Sequence, residues 1–195
     1  MTRMIRGAGS GVSRRAAMAG GAVLLSLGPL ASGAKAATAS ELRASAQAAL
    51  RKLYANNARA RELSRRARGV LVFPRILKAG FVFGGQGGEG VLFIGGKAAG
   101  YYSIGAASFG FQAGAQVYGY ALFFITASAL DYLKKSEGFA IGAGPSVVVV
   151  KAGAAKDFDT TNLTQDVYAI SFNQEGLMGS LSLEGSKITR IHPKD

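Results

Sequence analysis

The sequence predicts an α+β fold, with N-terminal amphipathic helices packed on a curved, mostly antiparallel, glycine-rich sheet or partial barrel. Three observations carry this reading. An amphipathic helical pattern runs over residues 40–67, the grammar changes at Gly69 to short β-favouring runs separated by glycine, and Phe, Tyr, Val and Ile are interleaved with those glycines.

The first 36 residues are set aside before the domain is read. Arg3, Arg6, Arg14 and Arg15 precede an apolar run over residues 16–34, and Ala34-Lys35-Ala36 followed by Ala37 has the small-x-small form of a signal-peptidase site. Ser13-Arg14-Arg15 adds a twin-arginine signature, although Ala17 stands where a bulky apolar residue is usual. Interruption by Gly20, Gly21, Gly28 and Pro29, and Lys35 near the cleavage point, favour the twin-arginine route. The expectation is a signal peptide over 1–36, one domain over 37–195, and a periplasmic product peripheral to a membrane. The alternative is a retained membrane anchor, for which nineteen residues broken by Gly-Pro are marginal across a ~30 Å hydrocarbon core.

Thr38-Ala-Ser-Glu41 has the form of a capping box and opens a run rich in Ala, Leu, Arg and Lys. Leu42, Ala46, Ala49, Leu50 and Leu53 share one face at spacings of three and four. Asn56-Asn57 interrupts that pattern, predicting helices over about 40–54 and 57–67, with Leu63 and Ala67 inward and most arginines outward. Strands are predicted over 70–73, 78–83, 90–94, 99–104, 109–115, 117–126, 139–143, 147–151, 167–172, 177–183 and 187–191, with a short helix over 128–135. Residues 121–125 and 147–150 are apolar on both faces, as strands covered on both sides require.

Thirteen of the forty residues from Gly80 to Gly119 are glycine. Such density weakens strands unless bends, bulges or close backbone approach demand it, so it points to a tightly curved sheet. Within it, Gly85-x-Gly87-x-x-Gly90 has the spacing of a dinucleotide-binding loop. That loop must lead into a helix whose N-terminus holds the pyrophosphate. Residues 91–94 instead make a short β-favouring run closed by Gly95-Gly96, so the segment 84–90 reads as a glycine-rich connection between antiparallel strands.

Catalytic constellations find no support. The chain has no cysteine, which removes disulfides, thiolate metal ligands and a thiol nucleophile, and its one histidine, His192, lies in the C-terminal tail. Ser108 has the wrong glycine spacing for a nucleophile elbow, and Asp157 and Asp159 read as a solvated turn. A non-enzymatic chain without cofactor or metal is expected.

Charge is the better lead. Eight basic residues between Glu41 and Arg68 face two acidic ones, whereas ten face nine from Gly69 to the end. Cations beside an amphipathic helix attract anionic lipid headgroups, each by ~1 kcal/mol near the surface. Nucleic acid answers to the same charges, but export takes it out of reach. A solvated basic face remains the alternative.

Several segments taken in order resemble one family: Gly69-Val-Leu-Val-Phe-Pro74, Lys78-Ala-Gly-Phe81, Gly84-Gly-Gln-Gly-Gly-Glu-Gly90, Ser108-Phe-Gly-Phe-Gln-Ala-Gly-Ala-Gln116, and Tyr168 through Gly176-Leu-Met-Gly-Ser-Leu-Ser-Leu-Glu-Gly185. Across about residues 40–191 the chain is similar to the SYLF-domain family, the Ysc-like actin-binding family. The resemblance implies a non-enzymatic phospholipid-binding domain, with actin binding in some eukaryotic relatives; in an exported bacterial protein only the anionic-lipid activity carries over. It places lipid contacts in the N-terminal basic segment, matching residues 59–68 here; the phosphate contacts expected on this basis are Arg59, Arg61, Arg65, Arg66 and Arg68, to which the charge reading adds Lys78. Many relatives carry a Trp after the second glycine-rich stretch, where this chain has Gly100-Tyr-Tyr102 and no Trp. The expected partner is an anionic phospholipid membrane; the alternative is an envelope structural module docking an acidic protein.

Overall fold

Thr38 starts the first helix by the reciprocal bonds its sequence predicts. In the computed structural model its Oγ1 accepts from the Glu41 N–H at 3.2 Å while its own N–H donates to Glu41 Oε2 at 2.9 Å. The Thr38 backbone N–H, more than its side chain, holds the Glu41 carboxyl below its ordinary range. The structure describes residues 37–80, 83–109, 114–135, 138–150, 163–176 and 185–195. Helix α1 runs Ala39–Asn56; Asn57 leaves the helical conformation and caps α2 (Ala58–Arg66) by accepting from the Ala60 N–H at 2.9 Å.

Eight strands form one sheet in the order β5-β8-β3-β2-β1-β4-β7-β6. They are β1 (Gly69–Gly80), β2 (Phe83–Ile94), β3 (Lys97–Phe109), β4 (Gly114–Phe124), β5 (Phe139–Ala140), β6 (Val147–Val150), β7 (Val167–Gly176) and β8 (Lys187–Ile191), with helix α3 (Ala127–Lys135) between β4 and β5. Every pairing is antiparallel except β6 with β7, and the sheet curls into a half-barrel. The α+β architecture is as the sequence predicts. Asp166 ties the β6–β7 end to α3: its carboxylate accepts from Thr126 Oγ1 at 2.8 Å and from the Ser146 N–H at 3.1 Å, bonds that hold it below the usual carboxylate range, Thr126 contributing most.

Both faces of the sheet are covered, which explains the continuous apolar runs. On the outer face Leu42, Ala46 and Leu53 of α1 and Ala60 and Leu63 of α2 pack on Val70, Val72, Val91, Phe93, Ala121 and Phe123. On the inner face Leu71, Phe73, Ile76, Tyr118, Tyr120, Leu122 and Phe124 meet Ala129, Leu130 and Leu133 of α3. Successive residues of β1 and β4 thus belong alternately to two cores.

Three expectations are corrected. The segment 84–90 is no connection but part of β2, paired with β1 on one side and β3 on the other. Glycine is required there by close approach: a Cβ on Gly90 would stand 2.5 Å from the Val72 carbonyl oxygen and 2.6 Å from a Phe73 ring carbon, and one on Gly88 2.5 Å from the Arg75 carbonyl. The predicted strands 70–73 and 78–83 are one strand, β1, whose register shifts around Pro74 against both neighbours. A bulge absorbs the proline, which cannot donate to the ladder, and bends the strand toward the glycines facing it. Phe109 closes β3 rather than opening the next strand, and the predicted strand 177–183 lies outside the described residues, as do Asp157 and Asp159.

Candidate functional site

The helix α1 stripe Gln47, Leu50, Arg51 and Tyr54 follows the i, i+3, i+4, i+7 spacing that places four side chains on one face. That stripe forms one wall of a cleft of about 470 Å³. The opposite walls are the link between α2 and β1 (Ala67, Arg68 and Gly69) and the end of β2 with its turn (Phe93, Gly95 and Gly96). Gly95 and Gly96 adopt φ of 57° and 77°, a left-handed pair that reverses the chain in two residues. Arg68 is fixed at the rim by its backbone, whose N–H donates to the Phe124 carbonyl at 2.8 Å.

The arginines that the sequence groups together have separate occupations. Arg61 Nη1 donates to the Tyr54 carbonyl at 2.5 Å and the Ala55 carbonyl at 3.3 Å, closing the C-terminal turn of α1, where carbonyls lack helical partners. Arg65 and Arg66 both bind Glu62, at 3.0 and 3.1 Å. The triad therefore presents one net positive charge; exposed pairs of this kind are worth at most about 1 kcal/mol. Arg59 is half-buried on α2, and it too has interactions within the fold. Lys78 lies elsewhere: it shares the inner sheet face with Ile76, in register with Gln86 on β2 and Gln116 on β4. The structure thus brings Arg59, Arg61, Arg65, Arg66 and Arg68 onto one helical layer and places Lys78 across the sheet from it.

Arg51 is the residue that sequence reasoning left out of the site. It belongs to the same basic segment, and the helical corner at Asn57 brings it to the same cleft as Arg68, seventeen positions on. Neither guanidinium makes a hydrogen bond or ion pair among the described residues, and the cleft lining holds no carboxylate. Leu50, Tyr54, Val70 and Phe93 give it apolar surface, while Gln47 and Ser64 add polar groups. Burial raises the Tyr54 phenol above the ordinary tyrosine value, with its hydrogen bond to Ser64 acting in the other direction, so the hydroxyl stays a neutral donor.

The inner face carries a second polar group. Tyr118 donates to Gln86 Oε1 at 2.6 Å, and Gln86 Nε2 donates to the buried Ser186 Oγ at 2.8 Å. Beside them, both side-chain amide atoms of buried Gln116 and the Tyr120 hydroxyl have no hydrogen-bond partner among the described residues. Desolvation pushes the Tyr118 phenol up to about 12 and the Tyr120 phenol higher still. Among the described residues no group of three or more His, Cys, Asp or Glu is placed to hold a metal ion, and no helix is long and apolar enough to cross a membrane.

No curated protein matches the chain. The family model Ysc84, described as Las17-binding protein actin regulator, matches residues 105–193. The match begins inside β3 and runs through β8, so α1, α2 and the cleft precede it. Over that segment the chain is similar to the Ysc84, or SYLF-domain, family.

Proposed function

We propose that this protein is a non-enzymatic phospholipid-binding module that acts at a bacterial envelope membrane surface through its basic N-terminal helical layer, after export by a twin-arginine signal over residues 1–36. The observation that carries the reading is the segregation of charge: eight basic against two acidic residues over 41–68, on two helices whose apolar sides are spent on the sheet. With those faces buried, the layer turns Arg43, Arg51, Lys52, Arg61, Arg65, Arg66 and Arg68 to solvent. Attraction of such cations to anionic headgroups is worth ~1 kcal/mol each and decays over ~10 Å at 0.1 M salt. Binding is therefore peripheral, reversible and salt-sensitive.

Co-sedimentation with liposomes tests this directly. The expected result is binding to anionic but not neutral vesicles, fading as salt is raised. Equal binding to neutral vesicles, or none to anionic vesicles at low salt, contradicts it. A second reading is favoured by the description of the family model as a Las17-binding protein: the same arginines dock an acidic protein of the envelope. Recovery of one stoichiometric acidic protein from envelope extract, without lipid retention, would select that reading.

A further inference from the structure

We propose that the cleft between α1, the α2–β1 link and the β2–β3 turn is a seat for the phosphomonoester end of an amphiphile. Arg51 and Arg68 hold the phosphate, and Leu50, Tyr54, Val70 and Phe93 line the apolar part. The inference rests on the lipid-surface reading and narrows it from a diffuse charged layer to one site and one headgroup chemistry.

Size, charge and polarity each support the assignment. A volume of about 470 Å³ lies in the range of small-molecule pockets, roughly 300–1,000 Å³, and accommodates a headgroup with its glycerol rather than two full acyl chains. The two arginines lining the cleft are unpaired among the described residues, and no carboxylate lines it, so the cleft carries two uncompensated positive charges. A phosphomonoester brings about −1.5 to −2 at neutral pH and offers three acceptor oxygens, matching both guanidinium forks, whereas a diester brings only one charge. Arg61, Arg65 and Arg66 lack this availability, because α1 carbonyls and Glu62 already occupy them. The Gln47 amide supplies a neutral donor beside the arginines, as the glycerol oxygens of a lipid would need, whereas the Ser64 hydroxyl already donates to the Arg61 carbonyl at 2.7 Å.

The same phosphate could arrive on a membrane lipid or as a soluble ion, and the test separates these sources. The purified protein is titrated with dihexanoyl phosphatidic acid below its micelle concentration, with dihexanoyl phosphatidylglycerol and with inorganic phosphate, followed by amide resonances that include Gly95 and Gly96. It is also sedimented with phosphatidic acid vesicles. Two charge-matched double variants are compared, Arg51→Gln with Arg68→Gln, and Arg65→Gln with Arg66→Gln. All four positions are exposed, so both variants should keep the parent's melting curve. The expected result is tighter binding of phosphatidic acid than of phosphatidylglycerol, weakened about thirty-fold by the first variant and little by the second.

Equal weakening by both variants, or vesicle binding without short-chain lipid binding, would overturn the seat while leaving the membrane-surface reading intact. Inorganic phosphate binding as tightly as the short-chain lipid would overturn the amphiphile assignment in favour of a free ion. Absence of binding to any vesicle would overturn both readings.

Discussion

The two faces of the sheet are closed in different ways. On the outer face α1 and α2 pack aliphatic and small side chains onto β1, β2 and β4, and their polar ends are satisfied by the Thr38–Glu41 box and the Asn57 cap. The inner face packs α3 against large aromatics but keeps Gln116 and the Tyr120 hydroxyl buried without partners among the described residues. A buried unpaired polar atom costs about 1–3 kcal/mol. The outer core therefore holds by packing alone, while the inner core carries a polar burden that aromatic packing must offset.

Changes to each face should separate the two. The largest effect is expected where both faces depend on one backbone approach: in Gly90→Val the added side chain meets the Val72 carbonyl and the Phe73 ring within 3 Å, and a loss above ~3 kcal/mol is expected in urea unfolding. A loss below ~1 kcal/mol would mean that the bend at Pro74 is not held by this contact. On the outer face Leu63 is fully buried, so Leu63→Ala should cost about 2–5 kcal/mol by the same measurement, and helical circular dichroism should fall if α2 comes away with it.

The inner face should respond less, and with opposite signs at neighbouring tyrosines. Tyr118→Phe removes the donor to Gln86 and should cost about 1 kcal/mol, whereas Tyr120→Phe removes an unpartnered hydroxyl and should be neutral or slightly stabilising. A clear loss at Tyr120 would mean that its hydroxyl has a partner after all. Tyr118 also sets an alkaline signature. Its folded phenol titrates at about 12 against 10.0 for the free group, so this stabilisation is complete below pH 10 and is lost as pH rises toward 12. Tyr118→Phe should flatten that decline.

The helical layer was legible in the sequence down to its capping box, because helix caps and the 3.6-residue stripe are local signals. The sheet was legible in class but not in detail. Residues 84–90 offer no side-chain alternation to mark a strand, and the reason they are glycine lies in Val72, Phe73 and Arg75 on another strand. Pro74 hid the continuity of β1 because the bulge that absorbs it exists only between paired strands.

The candidate site followed the same division. That residues 59–68 carry positive charge is local, and the spacing of Glu62 to Arg65 and Arg66, three and four residues, already announced that two of those charges are shared. That Arg51 and Arg68 line one cleft, and that Lys78 belongs to the other face of the sheet, depends on the corner at Asn57 and the register of β1.

The most direct test of the central claim, that the helical layer is the face that meets the membrane, uses the absence of cysteine in the chain. One cysteine at a time is introduced at exposed Ala48 on α1 or at exposed Tyr132 on α3, and each is labelled with an environment-sensitive fluorophore. On anionic vesicles the Ala48→Cys label should shift to the blue and be shielded from aqueous quenchers, while the Tyr132→Cys label stays in water. Shielding at Tyr132 with Ala48 unchanged, or equal response at both, would contradict the account.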